Sequence, residues 1–285
     1  MSFKISPLSK QKAEKKLLAK DYLVSNESFD LYYDSAWDMM FTDPQPENLS
    51  KYYESKEYKP HEHQTEGLLN KIYNLIRKTS YGYKLSLIKK ARPNTGNLLD
   101  YGTATGEFLA YLAGKNFEVA GVEPHPKARK KANEILSGKV KSSIEEINGK
   151  FDVITLWHVL EHIRKPDELI RKLKEKLRPD GVIIVAVPNF KSYDAQHYQS
   201  FWAAYDVPRH LWHFSPKAIE KLFERHQLKV IDQKPLFFDS FYVSLLSEQY
   251  KTGKKRIFPA FVTGLKSNLK ALSSRQYSSL IYVIK

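Results

Sequence analysis

Two periods of apolar spacing divide the chain. Short apolar blocks of strand length (NLLDY, FEVAGVE, FDVITLWH, GVIIVAVP) alternate with stretches whose apolar residues stand three and four apart. The pattern predicts strands at about 97–101, 117–123, 138–141, 151–157 and 181–187. Helices are expected at about 106–114, 126–137, 166–177 and 216–226, and Arg178-Pro179-Asp180-Gly181 reads as a turn. Two β-prone runs, at about 228–236 and 277–284, close the chain. Strands alternating with helices predict an α/β fold, a largely parallel sheet with helices on both faces.

Ahead of this core the pattern is weaker. Residues 1 to about 20 read as a mobile or helical basic lead-in. In DYLVSNESFDLYYD, β-prone residues flank Ser25-Asn26-Glu27, which predicts a small hairpin. Pro44 and Pro46 stop any strand, and Asn48-Leu49-Ser50 starts a helix carrying Tyr52 and Tyr53. From Pro60 the spacing of Leu68, Ile72, Leu75 and Ile76 predicts an amphipathic helix, with a second at Tyr83 to Lys90. Tyr58, His61 and His63 precede it; a His-x-His pair in a loop is more often solvated than metal-bound.

Within the core, NLLDYGTATG is a buried strand, an acid and a glycine turn that opens a helix. Small residues let a ligand approach the backbone, and unpaired helix N–H groups point at it. Glu123, 17 residues past Gly106, ends the next strand, where a carboxylate can grip two ribose hydroxyls. The run continues through the fourth strand into His158-Val159-Leu160-Glu161-His162.

From Leu98 to about Val230 the sequence resembles the class I S-adenosylmethionine-dependent methyltransferases, in the branch with an HVLEH segment. The resemblance implies a Rossmann-like seven-stranded sheet whose last strand inserts antiparallel. It implies S-adenosylmethionine as cofactor and S-adenosylhomocysteine as product. Asp100 would sit near the methionine ammonium, the Gly102-Thr103 backbone would lie along that moiety, and Ala104 and Gly106 would complete the cofactor-binding motif. Glu123 would hold the ribose, Pro124 and His125 would lie beside the adenine, and Ser143 and Ile144 would flank it. Trp157 and His158 would face the sulfonium. Ala104 stands where most relatives have glycine, and Ser143 where aspartate is usual.

Alignment does most of the work in methyl transfer, and an oxygen or carbon acceptor also needs a base. His162, His197, His210 and His213 are the candidates. Asp206-Val207-Pro208-Arg209-His210 resembles the D-x-P-R-H-x-x-H run of the same branch, which implies roles for Arg209 and His210 in holding and deprotonating an acceptor. The alternative is a capped loop whose charges satisfy one another. Phe41, Thr42, Pro44 and Pro46 resemble the second half of a zinc-binding module found in some relatives. Asp34 and Trp37 replace its cysteines, which implies a hairpin without metal, packed around Trp37 and neighbouring aromatics.

Composition narrows the class. With 285 residues, 42% of them apolar, the chain can bury a full core; the reading is an extension at 1–59 and a methyltransferase domain at 60–285. Two long connections, 189–215 and 238–276, are the expected lids or substrate elements. The absence of cysteine excludes disulfides and thiolate chemistry and fits a reducing compartment. With no run near ~20 apolar residues and no signal-peptide core, the expectation is a soluble cytoplasmic protein.

A net charge of +14 favours anionic partners, but lysines dominate it, and a solvated basic exterior is the commoner reading. The basic, apolar-patterned stretch 251–276 fits packing on the core, covering an apolar substrate, or peripheral contact with a membrane. The resulting expectation is a methyltransferase for O or C of a small quinone-like or sugar-derived acceptor. The alternatives are an RNA methyltransferase and a non-catalytic cofactor-binding protein.

Overall fold

The computed structural model describes residues 3–53, 68–93 and 96–285, with the side chains of 68–78 excepted. Tyr58, His61, His63 and the start of the expected helix at Pro60 lie outside the described residues, as do the side chains of Leu68, Ile72, Leu75 and Ile76. Chain order begins with strands β1 (Phe3–Ile5), β2 (Lys12–Lys20), β3 (Ser28–Asp34) and β4 (Met39–Asp43). There follow α1 (Leu68–Ala91), β5 (Asn97–Tyr101), α2 (Glu107–Ala113), β6 (Glu118–Val122), α3 (Pro126–Leu136) and β7 (Val140–Lys141). Next come β8 (Phe151–Trp157), α4 (Pro166–Lys176), β9 (Leu177–Pro188), α5 (Tyr193–Tyr198) and β10 (Trp212–His213). The chain closes with α6 (Pro216–Glu224), β11 (Val230–Pro235), α7 (Asp239–Thr252), α8 (Ile257–Ser274) and β12 (Ser279–Ile284).

The residues form two compact units. One comprises Met1–Tyr58, Leu160–Arg164 and Ala186–Tyr282; the other comprises Lys59–Val159, Lys165–Val185 and Val283–Lys285. The large sheet is seven-stranded in the order β11-β12-β9-β8-β5-β6-β7, and the last strand lies antiparallel between β9 and β11, as expected. β5 pairs in parallel with β6 and β8, setting Asp100 opposite Gly121 on one side and Thr155 on the other. Leu98, Leu99, Val153, Ile154 and Leu156 are fully buried, as both faces of a covered parallel sheet require.

Four local expectations are corrected. The lead-in is neither mobile nor helical: Lys12–Lys20 (β2) pairs antiparallel with Ser28–Asp34 (β3), and β1 adds to its other edge. The hairpin therefore starts earlier than Asp21, and Asp21 instead holds its turn by accepting from the N–H groups of Leu23, Val24 and Ser25. Arg178-Pro179-Asp180 is the exposed beginning of β9 rather than a turn, with Arg178 reaching Asp152 at 3.0 Å. The two helices expected before β5 are one continuous helix, α1, and Gly82 passes through it without interruption. In the first unit the five-stranded order β1-β2-β3-β4-β10 brings in a strand from the 189–215 connection: Trp212 pairs with Phe41 and His213 with Met40. Its core gathers Phe29, Leu31, Met40, Tyr52, Tyr198 and Trp202.

Candidate functional site

In the sheet unit, the turn after β5 is built for close approach. Gly102 and Gly106 both take left-handed backbone, at φ +79° and +80°. A Cβ at Gly106 would come within 2.9 Å of Ala132 Cβ, and one at Gly102 would overlap Val159. Only glycine fits either position. Ala104 also has positive φ, +50°, at a cost of roughly 1–2 kcal/mol for an L-residue. Ala104→Gly is therefore expected to raise stability by about 1 kcal/mol, measured by urea denaturation with an unchanged m-value.

Glu123 closes this turn. Its Oε2 accepts from the Ala104 N–H and its Oε1 from the His125 N–H, both at 2.9 Å, so the carboxylate is locked although only 9% exposed. Each oxygen keeps a lone pair for a hydroxyl donor. Arg129 fixes the next loop through the Glu123 and Pro124 carbonyls, and His125 caps α3. Ser143 precedes the 3-10 turn Ile144–Glu146, in which Ile144 is buried.

Asp100 is buried and accepts a 2.5 Å hydrogen bond from Thr155 Oγ1. Burial raises its carboxyl to about 6, against the opposing influence of Thr155, Thr103 and Lys84. Trp157 ends β8 with Phe108 edge-on at 5.8 Å, and its indole Nε1–H is buried without an acceptor among the described residues. Lys84 Nζ lies 4.3 Å from the Trp157 ring centre and 5.1 Å from that of Phe108. A cation thus rests on the aromatic surface expected to face a sulfonium. Sequence reasoning missed Lys84, one lysine on a helix of unremarkable pattern. His158 follows with φ +55°.

The other unit assembles the remaining candidates. His210 Nδ1 is 2.9 Å from the Ala204 carbonyl and His162 Nδ1 is 3.0 Å from the Arg209 carbonyl. A carbonyl only accepts, so both imidazoles carry hydrogen on Nδ1, and Nε2 is the nitrogen that gains or loses a proton. The rings meet edge to face at 4.5 Å. His210 Nε2 stands 4.0 Å from Glu161 Oε1 and 3.9 Å from Asp206 Oδ2. Burial and neighbouring His210 depress His162 to about 4, so it is neutral at physiological pH.

Arg209 is 1% exposed and faces inward, not toward open space. It pairs with Asp21 at 2.9 Å and Asp206 at 2.7 Å and donates to the Tyr52 carbonyl. His213 is buried in β10 with Nε2 3.1 Å from Thr42 Oγ1, and burial holds it neutral. His197 lies on α5, stacked with Tyr193. Neither joins the His162–His210 pair.

Glu161, His162 and His210 each offer a donor atom, all within 4.8 Å of one another. Donor atoms grouped in this way could hold a metal ion or pass a proton between them. In the N-terminal hairpin, Asp34 accepts from the Trp37 N–H, and the Arg225 guanidinium lies 4.3 Å over the Trp37 ring. That packing is cation on ring, where the sequence suggested neighbouring aromatics.

The sheet order and the glycine turn define an α/β cofactor-binding class, and the family follows from comparison. A model described as a methyltransferase domain matches residues 61–233, well over half of the chain, and the chain belongs to that family. It is 23% identical over 129 residues to the mitochondrial ubiquinone biosynthesis O-methyltransferase of Schizosaccharomyces pombe, covering 41% of this chain and 47% of that one. Against the ubiquinone biosynthesis O-methyltransferase of Rickettsia canadensis the values are 27% over 100 residues, 32% and 42%. The chain thus spans under half the length of these relatives. Coclaurine N-methyltransferase bound to N-methylheliamine and SAH superposes with a TM-score of 0.50 at 16% identity, covering 71% of this chain and 72% of that one. StiE O-MT residues 961–1257 gives 0.50 at 15%, with 77% of each chain covered.

Proposed function

We propose that the chain transfers a methyl group from S-adenosylmethionine to an oxygen or carbon of a small-molecule acceptor, with a quinol-like phenol as the best-supported class. The carrying observation is the Glu123 carboxylate, locked by two backbone N–H groups beside a turn that excludes any Cβ at Gly102 and Gly106. That geometry suits ribose hydroxyls on Glu123 and a methionine moiety along the turn. Asp100 would take the methionine ammonium and Lys84 its carboxylate. Bound S-adenosylmethionine supplies a methyl group on an already activated sulfonium. The ubiquinone O-methyltransferase relatives support an acidic hydroxyl as acceptor.

His210 Nε2 would take the acceptor's proton, and Glu161 and Asp206 would stabilise the resulting imidazolium. His162, neutral and tied to the Arg209 carbonyl, positions the pair. The trio of Glu161, His162 and His210 is read as handling a proton and not as holding a metal, so dialysis against EDTA is expected to leave turnover unchanged; metal-restored activity would reverse that assignment. Phe41, Thr42, Pro44 and Pro46 support descent of the N-terminal hairpin from a zinc module that has lost its cysteines. The cysteine-free composition suits a reducing compartment such as the cytoplasm.

Calorimetry with S-adenosylmethionine and S-adenosylhomocysteine tests the cofactor assignment. Glu123→Ala is expected to weaken both at least tenfold; no heat from either ligand would overturn the reading.

Affinity should also depend on pH through Asp100. Its folded-state value, about 6, lies above the ordinary 3.8, so the free protein holds a proton there between those values. The stability this group contributes is therefore fully present below about pH 4 and lost progressively as pH rises through about 6, where the buried carboxylate becomes charged. An ammonium ligand needs the charged form. Affinity should fall up to about tenfold per pH unit below 6, and Asp100→Asn should flatten that slope while weakening binding at pH 7.5. Isothermal titration at pH 5, 6 and 7.5 reads both effects.

A further inference from the structure

The connection between β11 and β12 is a helical hairpin turned inside out. α8 packs inward with Ala260, Thr263, Gly264, Ser267 and Ala271, all small and all buried. A Cβ at Gly264 would stand 3.0 Å from both the Phe241 Cα and the Ser240 carbonyl oxygen of α7. α7 answers with buried Ser240, Ser244 and Ser247. Ser267 Oγ also donates to Asp194 Oδ1 of α5 at 2.6 Å.

The large apolar residues point the other way. Ile257, Phe258, Phe261, Leu265, Leu269 and Leu272 are 41–77% exposed. At 3.6 residues per turn they fall within an arc of about 120°, a continuous apolar stripe along the whole helix. A water-facing helix has the opposite arrangement, with its large apolar side on the core. Phe237, Phe238 and Tyr242, at the start of α7, are exposed as well.

Charge says what covers the stripe. From Gln249 to Arg275 there are seven basic residues and no acid. Lys254, Lys255 and Arg256 stand together just ahead of Ile257 and Phe258, and Lys266 and Lys270 flank the stripe. A symmetric contact with a second copy would bring like charges together, since the adjoining acid, Glu248, is buried and already paired with Arg256 at 3.6 Å. No described helix is long and apolar enough to cross a bilayer. An apolar stripe flanked by lysines matches a helix lying in the plane of an anionic lipid surface.

We propose that α8 docks this protein on the surface of an anionic membrane, its apolar stripe among the acyl chains and its basic residues against lipid phosphates. Co-sedimentation of the full chain with vesicles tests this. Phosphatidylcholine vesicles containing phosphatidylglycerol should bind it at least tenfold better than phosphatidylcholine alone, and added salt should weaken the binding. Phe258→Glu with Phe261→Glu should abolish it while shifting the melting temperature by only about a few degrees, since Phe258 is largely exposed and Phe261 gives up only its stacking on Phe241. Lys254→Glu with Lys255→Glu should remove the preference for anionic lipid. Equal sedimentation of the double phenylalanine variant and the parent would overturn the proposal. So would a stable dimer in ultracentrifugation that the same variant dissociates, since a second copy would then be what covers the stripe.

Discussion

His210→Gln is expected to lower kcat by about 10²- to 10⁴-fold, with S-adenosylmethionine affinity within twofold of the parent. The residue has one nitrogen committed to the Ala204 carbonyl and the other facing two carboxylates at 3.9 and 4.0 Å. Glutamine can keep the bond to Ala204 but cannot accept a proton. His210 is not among the cofactor candidates, Asp100 to His158, so binding and turnover should separate. Glu161→Gln should cost less, about tenfold, because it removes stabilisation of the imidazolium and leaves the base. Single-turnover rates with a catechol- or quinol-type acceptor give both values. A His210→Gln enzyme at parental rate would assign the proton to solvent, and the histidine would then be structural.

The sequence made the sheet unit legible because its signals are local. Leu98 to Gly106 holds a strand, its acid and both obligatory glycines in nine residues, and Glu123 lies one strand further on. The structure adds what spacing cannot express: Ala104 adopts the backbone of the glycine it replaces, and its N–H is the donor that fixes Glu123. Lys84 had no comparable signal. It is one of 46 basic residues, and only the fold sets its ammonium over Trp157.

Where tertiary pairing governs, the local reading failed. KAEKKLLAK consists of good helix formers, yet it is a strand because SFDLYYD offers it a partner edge. Pro179 suggested a turn, but at the exposed start of β9 its missing N–H is tolerated. The amphipathic pattern of 251–276 was visible, while its direction was not. Periodicity reports two faces, and only packing shows that the small residues face inward.

Arg209 shows the same limit at the candidate site, and its removal should have the largest effect on stability. Arg209→Met is expected to destabilise the fold by about 3–5 kcal/mol. Beside Asp206 and His210 it resembles a group awaiting an anionic acceptor, but Asp21, 188 residues away in sequence, takes its guanidinium from within. Losing the cation strands two acids, one of them fully buried. Arg209→Met with Asp21→Asn should recover part of the loss, since an uncharged pair leaves less charge without its counterpart. Bonds from the Ser25 and Leu23 N–H groups and from Arg209 hold Asp21 below its ordinary value despite burial, and Arg209 does the same for Asp206. Stability from these groups is therefore present above about pH 4 and lost as pH falls through their depressed folded-state values. The parent should show an acid-unfolding arm that is shallower in the double variant. Urea denaturation across pH 3 to 7 measures both effects, and a single variant as stable as the parent would return Arg209 to the acceptor.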